Sequence, residues 1–158
     1  MRFAEISEQL IISERKINNI STINKKIESQ LQAWKARTIV TDNVITFKTI
    51  NIYLGTGYID TNIVLLRVYK EGKIIIDKVG SSLRISWVVK LNTLYFISLC
   101  FSTILFIIIF LFREIKLIFA LSISLALFLM LVFLGIQLIK YRLNDMIYAS
   151  VYPNYNKF

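Results

Sequence analysis

The side chains able to do chemistry are few. Asp60, Glu71 and Asp77 are carboxylates in or near predicted turns, Cys100 is the lone cysteine, and histidine is absent. Two carboxylates held close together can act as general acid and base. The spacing of these three forces no two of them together, so they read as solvated turn residues. Without His the usual general base is missing. Cys100 falls inside an apolar run expected to lie in lipid, away from polar substrates, so a nucleophilic role is not expected for it. With no His and no second Cys, neither an intramolecular disulfide nor a Cys/His metal site can form. Gly55-Thr56-Gly57 is an isolated Gly-x-Gly and completes no phosphate-binding loop. The expectation is a protein that is not an enzyme and has no catalytic residue, no cofactor and no metal.

The elements that hold these residues are more informative. From Leu91 to Phe112 there are 22 residues without a charge, 15 of them Leu, Ile, Phe or Val; from Leu117 to Ile139 there are 23 more, with 16 of those types. About 20 apolar residues cross the hydrocarbon core of a bilayer, and each of these types favours insertion by roughly 0.3–0.6 kcal/mol. Both runs read as transmembrane helices, 91–112 and 117–139. A single straight helix over both would be about 73 Å long against a core of ~30 Å, so the chain has to reverse. The reversal falls on FLFREIKLIF, at Phe112 to Lys116. Arg113, Glu114 and Lys116 there read as a polar stop between two spans. No ionisable residue lies within either span, which argues against a transporter or channel built from this chain alone.

The net charge is +9, and residues 1–90 carry 14 basic and 8 acidic groups. No dense basic cluster or aromatic-basic ribbon accompanies this excess, so a nucleic-acid partner is not expected. A basic domain facing an anionic membrane surface is. The N-terminal MRFAEISEQL has acidic residues and no signal-peptide core. The first segment competent for export therefore starts near Leu91.

Residues 1–90 read as a small α+β domain. AEISEQLII alternates with a period near two, as a strand does. The following stretch to Arg37 predicts a helix over 14–36, with Ser13 as N-cap and Ile17, Ile20, Ile27, Leu31 and Trp34 on one stripe. The same spacing fits a heptad with a register-setting Asn24, so packing on a sheet and a coiled coil both stay open. IVTDNVITF turns at Asp42-Asn43, and NIVLLRVYKEGKIIIDK places Lys70-Glu71-Gly72 between two β-rich runs as a hairpin. YLGTGYIDT reads as a loop. DKVGSSLRISWVVK turns at Gly80-Ser81 and then alternates, with Leu83, Ile85, Trp87 and Val89 on one face and Arg84, Ser86 and Lys90 on the other. The pattern is β-α-β-β-β-β: an antiparallel sheet with one covering helix, followed by the hairpin at 91–139 and a tail at 140–158. In the tail, Leu143, Met146, Ile147 and Val151 have helical spacing. They suit an interfacial helix or docking on the sheet.

The last strand runs into the first span without a linker. Arg84, Trp87 and Lys90 are therefore candidates for a membrane junction or a partner-binding surface. Ser98, Ser102, Ser124 and Ala126 are candidates for close helix–helix packing. Four Lys/Arg flank the terminal side of the hairpin (Arg84, Lys90, Lys140, Arg142) against two at its tip. By the positive-inside rule this puts both termini in the cytoplasm. The expectation is an integral protein of the inner or plasma membrane, in contact with membrane lipid. It would be an accessory or scaffold subunit, partnered by other membrane-protein subunits or by its own copies. A lipid- or ligand-sensing module at the membrane surface is the alternative.

Overall fold

In the computed structural model the described residues are 5–13, 19–49, 71–80, 82–111 and 117–152. They form β1 (Glu5–Ser13), α1 (Ile20–Ala33), β2 (Ala36–Thr41), β3 (Val44–Thr49), β4 (Glu71–Val79), β5 (Ser82–Lys90), α2 (Asn92–Leu111) and α3 (Leu117–Val151). The fold is α+β. Among the described residues five strands make one antiparallel sheet in the order β1-β5-β4-β3-β2. β1 and β5, the first and last of these five in sequence, are neighbours, paired from Glu5↔Lys90 to Ser13↔Ser82.

Alternation along the strands sends Leu10, Ile12, Ile45, Phe47, Ile74, Ile76, Leu83, Ile85, Trp87 and Val89 to one buried face. Fully burying a side chain of this size is worth about 1.5–3 kcal/mol. α1 lays Ile23, Ile27 and Leu31 into this core, all three sealed from solvent. Between the two expectations for α1, packing on the sheet prevails. Asn24, the residue that would set a coiled-coil register, donates from Nδ2 to the Asp42 carbonyl at 3.1 Å and ties α1 to the β2–β3 turn.

Three local expectations change. Ser13 is not a helix N-cap: it ends β1, where it pairs with Ser82, and α1 begins after Asn19. The alternation of β1 extends one residue further than the cap pattern allowed. Glu71 and Gly72 are not a hairpin turn but the first two residues of β4. Gly72 stands opposite Phe47, and a Cβ there would meet the Phe47 ring and, at 2.9 Å, the Val88 carbonyl. The glycine makes room for an aromatic ring within a strand. The helix after Leu117 does not stop at Ile139 but continues to Val151. The turn at Asp42-Asn43 stands where expected, with Asp42 at φ 49, and Gly80 turns at φ 61. The YLGTGYIDT loop, the run 62–69, Lys70, Ser81 and the reversal at 112–116 lie outside the described residues.

Both α2 and α3 are long and apolar enough to cross a membrane. They pack against each other antiparallel: Leu94 abuts Gly135, and the rings of Tyr95 and Phe128 lie 6.4 Å apart. Their outward surfaces are apolar, with Phe96, Phe101, Ile118 and Phe133 exposed.

The two ends of the hairpin enter the domain differently. β5 passes through the buried Leu91 directly into α2. α3, about 52 Å long at ~1.5 Å per residue, carries Ile139, Leu143, Met146, Ile147 and Val151 into the same core as the sheet. The segment after Ile139 thus docks on the domain. From Lys140 to Val151 it contains no Gly or Pro to break the helix, and its apolar residues recur every three or four positions.

Candidate functional site: the open sheet face and the buried junction

With one face sealed by α1 and α3, the sheet presents its other face to its surroundings. The register sets one charge from each strand in a row across that face. Glu5 pairs with Lys90, Glu71 with Lys48, and Lys48 with Arg37, while the adjacent pair Gly72↔Val89 brings Glu71 beside Lys90. The row reads Glu5, Lys90, Glu71, Lys48, Arg37 from β1 to β2, at ~4.8 Å per strand. It lies at the end of β5 from which α2 departs.

Glu71 is the hub. Its Oε1 lies 2.8 Å from Lys48 Nζ and its Oε2 lies 2.9 Å from Lys90 Nζ. The hydrogen bonds from Lys48 and Lys90 and their charges hold its carboxyl at about 2, against an ordinary 4.5. The bond to Glu71 pushes the Lys90 ammonium upward in turn. A carboxyl depressed in the folded state adds stability that is fully present above its unfolded value and is lost as pH falls through the folded one. The window is therefore about pH 4.5 down to about 2. Glu71 is about one-third exposed, so solvent screens the pairs and the gain is about 0.5–1 kcal/mol. Glu71→Gln should lower the thermal midpoint of the detergent-solubilised chain at neutral pH, and the gap from wild type should close toward pH 2. A gap that stays constant with pH would mean that the ion pairs do not cause it.

Around the row the open face forms a groove of about 670 Å³, lined by Arg37, Ile39, Thr46, Lys48, Glu71, Lys73, Val88 and Lys90 among others. Among the described residues no ion pair engages Arg37 or Lys73. Ile39 is largely exposed, although it is a large aliphatic side chain.

A second constellation joins the sheet to α3 on the sealed face. Trp87 is fully buried, and its indole N–H donates to Asn144 Oδ1 at 2.9 Å. Asn144 Nδ2 donates to Glu8 Oε1 at 3.2 Å, and Lys140 Nζ stands 3.9 Å from Glu8 Oε2. Ser150, also buried, donates to the Met146 carbonyl at 2.8 Å and lies 3.4 Å from Gln30 of α1.

The structure does not gather Arg84, Trp87 and Lys90 into one surface. Strand alternation puts Trp87 in the core, while Arg84 and Lys90 share the open face, six residues or about 20 Å apart. Lys90 belongs to the charged row. Arg84 is exposed near the other end, in register with Asp77 and Ile11. Of the four candidates for helix packing, Ser98, Ser102 and Ser124 are buried and Ala126 is exposed. Ala120, one turn before Ser124, is fully buried. The Ser102 hydroxyl donates to the Leu99 carbonyl of its own helix at 3.0 Å, so its small size, not its polarity, serves the contact.

Sequence reading missed Glu71 as a hub, Arg37, Lys48 and Lys73 as its surroundings, and the Glu8–Asn144 link. Glu71 was expected in a turn, Arg37 at the end of a helix and Asn144 in the tail, so no strand pattern grouped them. Which of them meet depends on register, which a single sequence does not carry. Among the described residues no cluster of three or more His, Cys, Asp or Glu could hold a metal ion. What the open face offers chemically is ionic and apolar recognition. No family model, no curated protein and no solved structure matches this chain.

Proposed function

We propose that the chain is a non-catalytic integral protein of the inner or plasma membrane, an accessory or scaffold subunit with both termini in the cytoplasm. The sheet domain sits against the membrane face and binds a partner subunit. The observation that carries this reading is the double junction of domain and hairpin. One strand becomes α2 through a buried Leu91, and α3 returns to complete the core with Leu143, Met146, Ile147 and Val151. A tether meant to let a domain roam would be flexible and rich in Gly and Ser. This arrangement fixes the sheet relative to the spans and suits a surface displayed at constant height and angle. The exposed pair Ile11 and Arg84 on the open face is available to such a partner.

The test combines three measurements on the full chain. It should remain in membranes after carbonate washing. A reporter fused after Phe158 should be active on the cytoplasmic side. A photo-crosslinker at Arg84 should capture a defined membrane partner or a second copy. A reporter active only outside would overturn the orientation, and a lone monomer without crosslinks would overturn the subunit reading. The groove on the open face supports a second reading, a membrane-surface module that senses a lipid or another ligand.

A further inference from the structure

Resting on the membrane reading above, we propose that the groove on the open face binds the headgroup of an anionic phospholipid. Arg37 and Lys73 are its phosphate-binding cations, and Ile39 and Val88 are apolar residues at its two sides, at the ends of the row Ile39–Thr46–Lys73–Val88. The volume of about 670 Å³ falls within the ~300–1,000 Å³ usual for small-ligand sites.

The charge pattern selects the ligand. Four cations (Arg37, Lys48, Lys73, Lys90) and two carboxylates (Glu5, Glu71) line the groove, so positive charge is in excess. Glu71 is engaged on both oxygens by Lys48 and Lys90. That leaves Arg37 and Lys73 without an acidic partner among the described residues. Arg37 stands directly across from Lys48 in the β2–β3 register. Like charges facing each other across strands are destabilising, and an anion between them removes the repulsion. A guanidinium can grip two phosphate oxygens at once, while an ammonium acts as a point charge beside it.

The exposed Ile39 side chain separates a lipid from a free phosphate ion. Ile39 is 64% exposed, and a soluble phosphate would leave it so. The glycerol backbone and first methylenes of a lipid would cover it. Position agrees with this: the groove includes Lys90, two residues before the first apolar helix begins at Asn92.

The experiment uses the full chain purified in a neutral detergent. Native mass spectrometry follows binding of dihexanoyl phosphatidylglycerol below its micelle-forming concentration. Dihexanoyl phosphatidylcholine and glycerol 3-phosphate serve as comparisons. The phosphatidylglycerol should bind at least tenfold more tightly than either, and less tightly as salt is raised. R37Q/K73Q should weaken it at least tenfold, whereas K25Q/K26Q, which removes the same charge from α1, should not. If the double variant does not fold, K73Q alone should still weaken binding about threefold. Equal binding of the phosphatidylcholine, equal loss in both double variants or an unaffected K73Q would overturn the site. Glycerol 3-phosphate binding as tightly as the lipid would replace the lipid by a soluble phosphate. A chain that resists carbonate extraction but binds no lipid refutes the groove alone. A chain that carbonate releases refutes the membrane reading beneath it.

Discussion

Trp87→Ala should destabilise the sheet domain by about 3–5 kcal/mol, the range for truncating a large buried aromatic. Trp87 is among the largest fully buried side chains and lies on β5, the strand that joins β1 to β4 and continues into α2. Its removal opens a cavity beneath the junction and leaves Asn144 Oδ1 without its donor. Trp87→Phe separates the two effects. It keeps most of the apolar volume but loses the indole N–H, so it should cost about 1–3 kcal/mol, the penalty for a buried polar group deprived of its partner. Denaturant unfolding of the full chain in detergent would measure both. A loss under about 1 kcal/mol for Trp87→Ala would mean that the site collapses freely, contrary to a close-packed junction.

The second large effect is expected at the far end of the chain. Ile147 is fully sealed from solvent within the shared core. Ile147→Asp places a carboxylate there, at an effective cost of several kcal/mol for an unpaired buried ion. Total stabilities are only ~5–15 kcal/mol, so α3 should detach beyond Ile139 and expose the core face of the sheet. Limited proteolysis should then degrade the sheet domain, while α2 and the apolar part of α3 persist as a protected fragment. Ile147→Val, which loses one methylene, should cost only about 0.5–1.5 kcal/mol. Equal protease resistance of wild type and Ile147→Asp would show that the C-terminal turns of α3 do not hold the domain together.

Sequence legibility followed the range of each interaction. The inward face of β5 was readable because alternation is local: Leu83, Ile85, Trp87 and Val89 are all buried. The Asp42-Asn43 turn and the two apolar helices were readable for the same reason. Gly72 misled because glycine next to charged residues resembles a turn. Its actual role is set by Phe47, a residue on another strand. The end of the second apolar helix misled because Lys140 and Arg142 look like a polar stop. Yet Lys140 reaches toward Glu8, which is distant in sequence. The charged row was the least legible feature. Its members come from five strands, and only the register makes Glu71 the partner of both Lys48 and Lys90.

The return of α3 to the core also orders events during synthesis. β1 leaves the ribosome well before its ladder partner β5, which follows some seventy residues later. Leu143, Met146, Ile147 and Val151, which close the core, follow only after both long apolar helices have been translated. A nascent chain halted at residue 90 would carry a sheet whose apolar face still lacks part of its cover. Chaperones and proteases should recognise that state. The sheet domain is thus completed only by the last turns of α3, the final part of the core to be made.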